Sequence, residues 1–252
     1  MRWALVLALL ATMPAGAQSR VPLRLGYDAD HVDLDKHVLQ FKPSRAVKTA
    51  TLHVLGEDGS EIGTGAASYD APSTDWQTIT WQQPADARVM ILKLRVETGD
   101  GVATNLELIP WSVAIDHDDV NFATDSSTIE PSEQAKLAAS LDKINAIVAR
   151  TSKFMKLRLY IAGHTDTVGP AGKNVKLSLD RARAIGSYFR ANKLAIPIAV
   201  AGFGEQVLKV PTPDETDERA NRRADYVLGP EQGQPPFKGP YLKVHASWRG
   251  IK

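Results

Sequence analysis

The sequence of 252 residues contains no cysteine, so no disulfide can stabilise its fold. It also lacks an excess of charge, because 30 Lys and Arg residues against 29 Asp and Glu residues give a formal net charge of +1. A nucleic-acid-binding domain normally carries a strongly basic face, so this balance argues against that class of protein. Internal repeats, low-complexity tracts and blocks of like charge are absent as well.

Catalytic and metal-binding motifs are also missing from the sequence. There is no cysteine nucleophile and no GxSxG motif, and the six histidines include no HExxH pair. The run DHDD at 116–119 has the composition of a metal site, but adjacent side chains cannot all point at one ion. The run GFG at 202–204 is too short for a dinucleotide-binding fingerprint. We therefore expect no enzymatic activity, no cofactor and no metal site.

Residues 1–17 are typical of a secretory signal peptide. Arg2 precedes an apolar run from Trp3 to Leu10, and the small residues AGA at 15–17 predict cleavage before Gln18. The apolar run is shorter than the roughly 20 residues that a membrane-spanning helix needs, which argues against an uncleaved anchor. We expect an exported periplasmic protein that does not itself span a membrane, with association at the outer membrane as an open alternative.

Residues 21–116 predict an all-β domain, because apolar and polar residues alternate with a period of two. The clearest alternation runs from Met90 to Val96, where Lys93 and Arg95 point to the opposite face. Further predicted strands are KHVLQFK, TATLHVL, QTITW, ATNLEL and WSVAI, with turn signals such as Asp58-Gly59 between them. This pattern favours a β-sandwich of the immunoglobulin or fibronectin-III type.

Residues 118–229 predict a two-layer α/β domain with the order β-α-β-α-β-β, and the boundary between the domains is expected near 116–118. One amphipathic helix follows Pro131, and its apolar face contains Leu137, Leu141, Ile144 and Val148. A second helix precedes the strand IAVAGFG, and RRADYVL forms the last strand. The residues expected on one face of this second helix are Leu179, Ala182, Ile185 and Phe189. The tail at 230–252 is rich in Pro and Gly at its start, which suggests a flexible linker followed by a strand.

In the second domain, the turn that follows a predicted strand contains an aspartate, and the next helix contains an arginine that could lie beside it. Asp166 lies in GHTDTVG at 163–169, and Arg181 follows within NVKLSLDRA, where Asn174 or Ser178 is expected to cap the helix. The spacing leaves two interpretations open. The two side chains either form a structural ion pair or flank a small zwitterion whose carboxylate meets the arginine and whose ammonium meets the aspartate.

A set of motifs resembles the OmpA-like C-terminal domain, which is shared with peptidoglycan-associated lipoproteins and flagellar stator proteins. The motifs are VNFATDSSTI, GHTDTVG, NVKLSLDRA, GFGE and NRRADYVL, and they cover about 118–229. The resemblance implies non-covalent binding of peptidoglycan through the diaminopimelate of its stem peptide. Asp166 and Arg181 occupy the family positions that hold the ammonium and the carboxylate of that residue.

Other positions carry over from the resemblance with weaker support. Those that line or shape the pocket in relatives correspond here to Thr165, Thr167, Asn174, Leu177, Ser178 and Asp125. Asn221 and Arg222 match the family's NRR run, where a scaffold role and a ligand contact are both open. Phe122 is expected in the core. Ala123 departs from the family, because relatives often have an acidic residue there.

Three functions therefore remain open at this stage. The protein is a peptidoglycan-binding anchor of the cell envelope, an enzyme that acts on the wall, or an interaction subunit or adhesin whose main activity lies in the β-sandwich. The absence of a nucleophile, metal or paired-carboxylate motif argues against the enzyme. In the third case, another envelope protein binds through the sandwich.

Overall fold

A computed structural model describes residues 21–28, 31–71, 73–123, 125–232 and 234–251. The predicted signal peptide lies outside these residues. The chain divides into two compact units, the first ending at Trp111 and the second beginning at Ser112. Among the described helices, none combines the length and the apolar character that crossing a membrane requires.

The N-terminal unit consists of two antiparallel sheets within the described residues. Its strands are β1 (Leu25–Gly26), β2 (Val32–Asp33), β3 (Val38–Pro43), β4 (Thr49–Gly56), β5 (Glu61–Ser68), β6 (Gln77–Thr80), β7 (Val89–Glu97) and β8 (Ala103–Leu108). In one sheet β3 pairs with β1, β2 and β6, and in the other the order is β5-β4-β7-β8. Strand β5 is absent from the strands that the sequence predicts.

Both sheets of the N-terminal unit contribute to one hydrophobic core. Leu39 and Phe41 from the first sheet and Leu52 and Leu92 from the second are fully buried members of the same cluster. The predicted alternation in β7 is confirmed, with Ile91 as an additional buried residue. The immunoglobulin or fibronectin-III type of this arrangement stays a prediction.

The C-terminal unit contains two α-helices, three short 3-10 helices and a mixed sheet within the described residues. Its elements are β9 (Val113–Ala114), α1 (Gln134–Thr151), β10 (Leu157–His164), α2 (Ala171–Ala191), β11 (Ile198–Gly204), β12 (Ala224–Pro230) and β13 (Arg249–Ile251). The sheet order is β13-β11-β10-β12-β9, in which β10 and β11 are parallel and the other pairs antiparallel. The predicted order β-α-β-α-β-β is present, and β13 extends it.

The first strand of this unit lies elsewhere than the sequence predicts. Val113–Ala114, from the WSVAI segment assigned to the N-terminal domain, pairs instead with β12 of the second unit. The two compact units separate between Trp111 and Ser112, and the domain boundary near 116–118 stays a prediction. No strand forms among the described residues of 116–130, and Phe122 is only half-buried. The expectation that Phe122 lies in the core is therefore wrong.

The C-terminal tail packs against the sheet. A short 3-10 helix at Gly239–Lys243 leads to β13, which pairs with β11. Phe237 is buried in a cluster with Tyr160 and Phe203 of the sheet, and Tyr241 packs against the same cluster. Helix α2 covers the opposite face, where the backbone of Ser178 lies against Gly163 of β10. The sheet is thus covered on both faces by parts of its own unit.

Candidate ligand-binding site

Asp166 lies in the turn directly after β10 and is only 7% exposed. Its Oδ2 accepts a hydrogen bond from Arg222 Nη1 at 2.5 Å, while its Oδ1 is 3.4 Å from the backbone nitrogen of Val168. Arg222 also donates to Asp217. One oxygen of the Asp166 carboxylate is therefore held firmly by a cation, and the other makes only one long hydrogen bond.

Arg181 lies on α2, is 7% exposed and is oriented by backbone carbonyl groups. Its Nε donates to the carbonyl oxygen of Ser126 at 3.0 Å, and its Nη2 donates to that of Ala123 at 3.3 Å. The guanidinium carbon also lies 5.1 Å from the centre of the Phe122 ring. Within the described part of the chain, its Nη1 has no hydrogen-bond partner and no carboxylate forms an ion pair with it.

The electrostatic setting of Arg181 favours an anion. Burial, followed by the positive charge of Arg222, lowers the pKa of Arg181 below its ordinary value, and the charges of Asp166 and Asp125 oppose this change. A buried cation without a directly bonded counter-ion is costly, and such groups concentrate at functional sites. The arrangement provides an oriented guanidinium with one free nitrogen for a carboxylate.

Asp166 and Arg181 do not form the direct ion pair that their spacing left open. The carboxylate pairs with Arg222, and the guanidinium bonds to backbone carbonyl groups. Each side chain is therefore fixed by a different partner. Within the described residues, the Nη1 of Arg181 makes no hydrogen bond and the Oδ1 of Asp166 makes one long one. Two fixed, opposite charges that affect one another without touching can bind the two ends of a small zwitterion.

Thr165 and Thr167 flank Asp166 with different roles. Thr165 is 2% exposed, and its Oγ1 is buried without a hydrogen-bond partner among the described residues. The hydroxyl of Thr167 donates to the carbonyl oxygen of Pro213 at 2.7 Å and accepts from the backbone nitrogen of Thr216 at 3.0 Å. Thr167 thus attaches the 213–216 loop to the turn that contains Asp166.

The prediction that Asn174 or Ser178 caps α2 is wrong. The helix begins at Ala171 after Pro170, so both residues lie inside it. The Nδ2 of Asn174 donates to Glu205 Oε2 at 2.7 Å and to the carbonyl oxygen of Val168 at 3.1 Å. Asn174 therefore stabilises the turn after β10, a role that the motif position alone did not reveal.

Ser178, Leu177 and Asp125 lie at increasing exposure around the site. Ser178 is fully buried, and its Oγ accepts from the backbone nitrogen of Gly204 at 2.9 Å. Leu177 is half-buried on α2. Asp125 is exposed, pairs with Lys173 at 2.7 Å and has a positive φ of 53°. Its charge acts on Arg181 without a direct bond.

The NRR run contains one scaffold residue and one site residue. Asn221 is fully buried, and its Oδ1 accepts from the backbone nitrogens of Lys209 and Val210 at 2.8 and 2.9 Å. Arg222 contacts Asp166 directly and places a second positive charge near Arg181. The sequence motif includes both residues, but it did not predict which of them has a scaffold role and which contacts Asp166.

Lowering the pH should destabilise the C-terminal unit through His164, which is 1% exposed. Burial lowers the pKa of His164, against the opposing effect of Asp225, so the folded state binds this proton less readily than the unfolded chain. Below about pH 6.5 the unfolded chain gains a proton that the folded state excludes. The free energy of unfolding should then fall by at most about 1.4 kcal/mol per pH unit from this group.

Amide hydrogen exchange in β10 at about pH 7.5 and about pH 5.5, corrected for the intrinsic pH dependence, measures this loss. His164→Gln should reduce the pH dependence, because it removes the titrating group. His245→Gln is the matched control, since His245 is an exposed histidine of the same unit. An equal pH dependence in the wild type and the His164→Gln variant would contradict the prediction.

A cavity of about 590 Å³ lies elsewhere in the unit, and none of the predicted site residues lines it. Arg158, Arg190 and Trp248 are among its lining residues. The two Arg190 Nη atoms already donate to the carbonyl oxygens of Leu194 and Ile196. We locate the candidate site at Asp166 and Arg181 because their charges are buried, oriented and only partly satisfied.

Comparison with known proteins identifies the part of the chain that contains this site. Residues 121–223 match the model of the OmpA family. Outer membrane protein P5 of Haemophilus influenzae is 33% identical over 88 residues, which are 34% of this chain and 23% of that relative. The matched region thus spans less than a quarter of the relative's length.

Solved structures of low sequence identity also align with the chain. The peptidoglycan-associated lipoprotein of Burkholderia pseudomallei is 23% identical, with 46% of this chain and 88% of that chain covered and a TM-score of 0.33. The cell wall anchor of the T6SS from Pseudomonas aeruginosa is 17% identical, with coverages of 58% and 86% and a TM-score of 0.33. The family match includes Asp166, Arg181 and Arg222, and residues 121–223 are accordingly an OmpA family domain.

Proposed function

We propose that the domain at about 118–229 binds peptidoglycan non-covalently through the diaminopimelate of its stem peptide, and so anchors an exported envelope protein to the cell wall. The observation that carries this proposal is the pair of buried, separately fixed charges at Asp166 and Arg181. The OmpA family membership of the segment supports the choice of ligand class. Binding as an anchor in the periplasm requires the signal peptide that residues 1–17 predict.

The free end of a diaminopimelate side chain has the chemistry that the two charges fit. Its carboxylate binds the Nη1 of Arg181, which has no bond within the described residues, and its ammonium binds the Oδ1 of Asp166. Arg222 keeps Asp166 in place, and its positive charge also acts on Arg181. Thr165, with its unpaired buried hydroxyl, offers a further polar contact. A polymeric wall raises the occupancy of such weak sites through multivalency.

Co-sedimentation with purified sacculi tests this function. The mature protein should pellet with sacculi that contain diaminopimelate, and free meso-diaminopimelate should release it. Sacculi whose stem peptides contain lysine instead are the matched control, because lysine lacks the second carboxylate. Equal sedimentation with both kinds of sacculi would contradict a diaminopimelate site. Release of soluble muropeptides would instead indicate a wall-degrading enzyme.

The N-terminal unit is proposed to be a β-sandwich of the immunoglobulin or fibronectin-III type that binds another envelope protein. Its own core, formed by two antiparallel sheets, supports an independent role. The alternative function, an interaction subunit or adhesin, rests on this unit. Cross-linking in envelope extracts, compared between the wild type and a variant that cannot bind sacculi, tests whether a partner is captured independently of the wall.

A further inference from the structure

A buried polar cluster joins the C-terminal tail to the two strands that end at the candidate site. The hydroxyl of Tyr241 lies 2.9 Å from the Nε2 of His164 and also forms a hydrogen bond with the Oδ2 of Asp225. His164 ends β10, and Asp225 lies at the start of β12. Tyr241 therefore bonds to both strands at the end of the sheet where the site lies.

The direction of these hydrogen bonds follows from the number of protons. Tyr241 has one hydroxyl proton, and the Asp225 carboxylate, which has no proton of its own, accepts it. The Nε2 of His164 must then carry the proton that it donates to the Tyr241 oxygen. This assigns the tautomer of His164 and leaves its buried Nδ1 without a partner among the described residues. The Nε2 of His164 also lies 3.3 Å from the Oδ2 of Asp225, so the three side chains form one closed cluster in which Tyr241 bonds to both of the others.

Aromatic packing holds Tyr241 in position. Its ring is 5.0 Å from the ring of Phe203 and 4.6 Å from that of Phe237, measured between centroids. Phe237 also stacks near Trp248 at 5.3 Å. Because Tyr241 is packed by its neighbours, its hydroxyl is aimed at His164 and Asp225 without a large entropic cost.

His164 and Asp225, the two partners of Tyr241, lie close in sequence to the charged residues of the site. His164 lies two residues before Asp166, and its backbone nitrogen donates to the carbonyl oxygen of Arg223 at 2.9 Å. Asp225 lies three residues after Arg222, and it also accepts from Arg223 Nε at 3.2 Å. Asp166 and Arg222 pair at 2.5 Å. Each of them therefore lies within three residues of a side chain that bonds to Tyr241.

We infer that Tyr241 is a positioning residue of the ligand site, which fixes the relative placement of Asp166 and Arg222 through His164 and Asp225. The C-terminal tail is then a part of the binding domain rather than a linker. Among the described contacts of Tyr241, none is with Asp166 or Arg222, so its effect on the pair is indirect. The effect of this residue on ligand affinity rests on the proposed function, whereas its effect on the geometry of the pair does not.

Tyr241→Phe in the full mature chain tests the inference, because it removes the hydroxyl and keeps the ring. Two readouts are needed: the affinity for free meso-diaminopimelate, and the side-chain Nε–H resonance of Arg222 in NMR spectra without ligand. We expect the resonance to shift and the affinity to fall roughly 3- to 10-fold, at a temperature where the variant is fully folded. A loss of stability alone changes neither quantity in folded molecules.

Trp248→Leu is the matched control, because Trp248 packs on Phe203 and Phe237 of the same aromatic cluster and has no ring contact with Tyr241 among the described residues. It should lower the melting temperature and leave the Arg222 resonance and the affinity unchanged. If Tyr241→Phe also changes only the melting temperature, or if both variants shift the resonance equally, the inference is wrong. If the wild type does not bind diaminopimelate, the proposed function fails, and the Arg222 resonance still decides the positioning role. If Tyr241→Phe does not fold, Asp225→Asn disrupts the same hydrogen-bonded cluster from β12.

Discussion

Arg181→Ala should remove most of the binding to diaminopimelate-type sacculi and leave the protein folded. The substitution deletes the guanidinium whose Nη1 makes no hydrogen bond within the described residues and is proposed to bind the ligand carboxylate. A hydrogen bond to a charged group contributes about 1.5–3 kcal/mol, so the affinity should fall about 10- to 150-fold. Arg181→Lys should also weaken binding, because an ammonium cannot reproduce the planar fork that bonds to Ser126 and Ala123 while facing a ligand.

Co-sedimentation and titration with free meso-diaminopimelate measure this loss. Arg183→Ala is the matched control, because Arg183 lies on the same helix, is more exposed and pairs with Asp180. It should bind sacculi as the wild type does. Arg181→Ala also releases the carbonyl groups of the 123–126 loop, so circular dichroism must confirm the fold of each variant. Wild-type affinity in a folded Arg181→Ala variant would place the ligand elsewhere.

The elements that carry the site are predictable from the sequence because their hydrophobic patterns are strong and local. Strand β11 spans the predicted IAVAGFG. On the predicted apolar face of α2, Ala182, Ile185 and Phe189 are buried, and Leu179 is half-buried. Asp166 at the end of a strand and Arg181 on the following helix face then follow from chain order. The resemblance to the OmpA-like domain adds the expectation that this pair binds the ammonium and the carboxylate of diaminopimelate.

The polar contacts around the site depend on residues that are distant in sequence, so no local pattern predicts them. Asn174 was expected as a helix cap from its residue type, but its amide bonds to Glu205 at a separation of 31 residues. Arg222 reaches Asp166 across 56 residues. The packing of the tail at 230–252 has the same origin, since Tyr241 finds its partners His164 and Asp225 only in the folded sheet.

Strand β5 shows how a close backbone contact can hide a strand from sequence analysis. Its segment EIGTGAAS is rich in small residues and lacks the apolar alternation of the other strands. A Cβ at Gly65 would lie 2.2 Å from the carbonyl oxygen of Thr80, so glycine is required where β5 approaches β6. Close packing between β5 and β6 therefore requires small residues, which have a low propensity for strands. The sequence pattern alone does not predict a strand there.

A close contact of a glycine with a neighbouring backbone also occurs in the C-terminal unit, where we expect a substitution to have a large effect on stability. Gly163→Ala should destabilise the unit by about 1–3 kcal/mol, because the added Cβ would lie 2.1 Å from the carbonyl oxygen of Ser178 on α2. The helix backbone must then move away from β10. Since α2 carries Arg181 and β10 leads into Asp166, the displacement should also lower the affinity for sacculi. Urea unfolding followed by amide exchange in β10 measures the first effect, and co-sedimentation measures the second.

Gly172→Ala separates this contact from the general effect of replacing a glycine. Gly172 lies in the same helix, and a Cβ there would meet no atom within 4 Å. This variant should be as stable as the wild type or gain up to about 1 kcal/mol, because alanine has less backbone freedom to lose on folding. If Gly163→Ala matches Gly172→Ala in stability and sacculus binding, close packing of α2 on β10 does not set the distance between the two charges. A loss of both properties at Gly163 alone would show that the charge pair depends on this backbone contact.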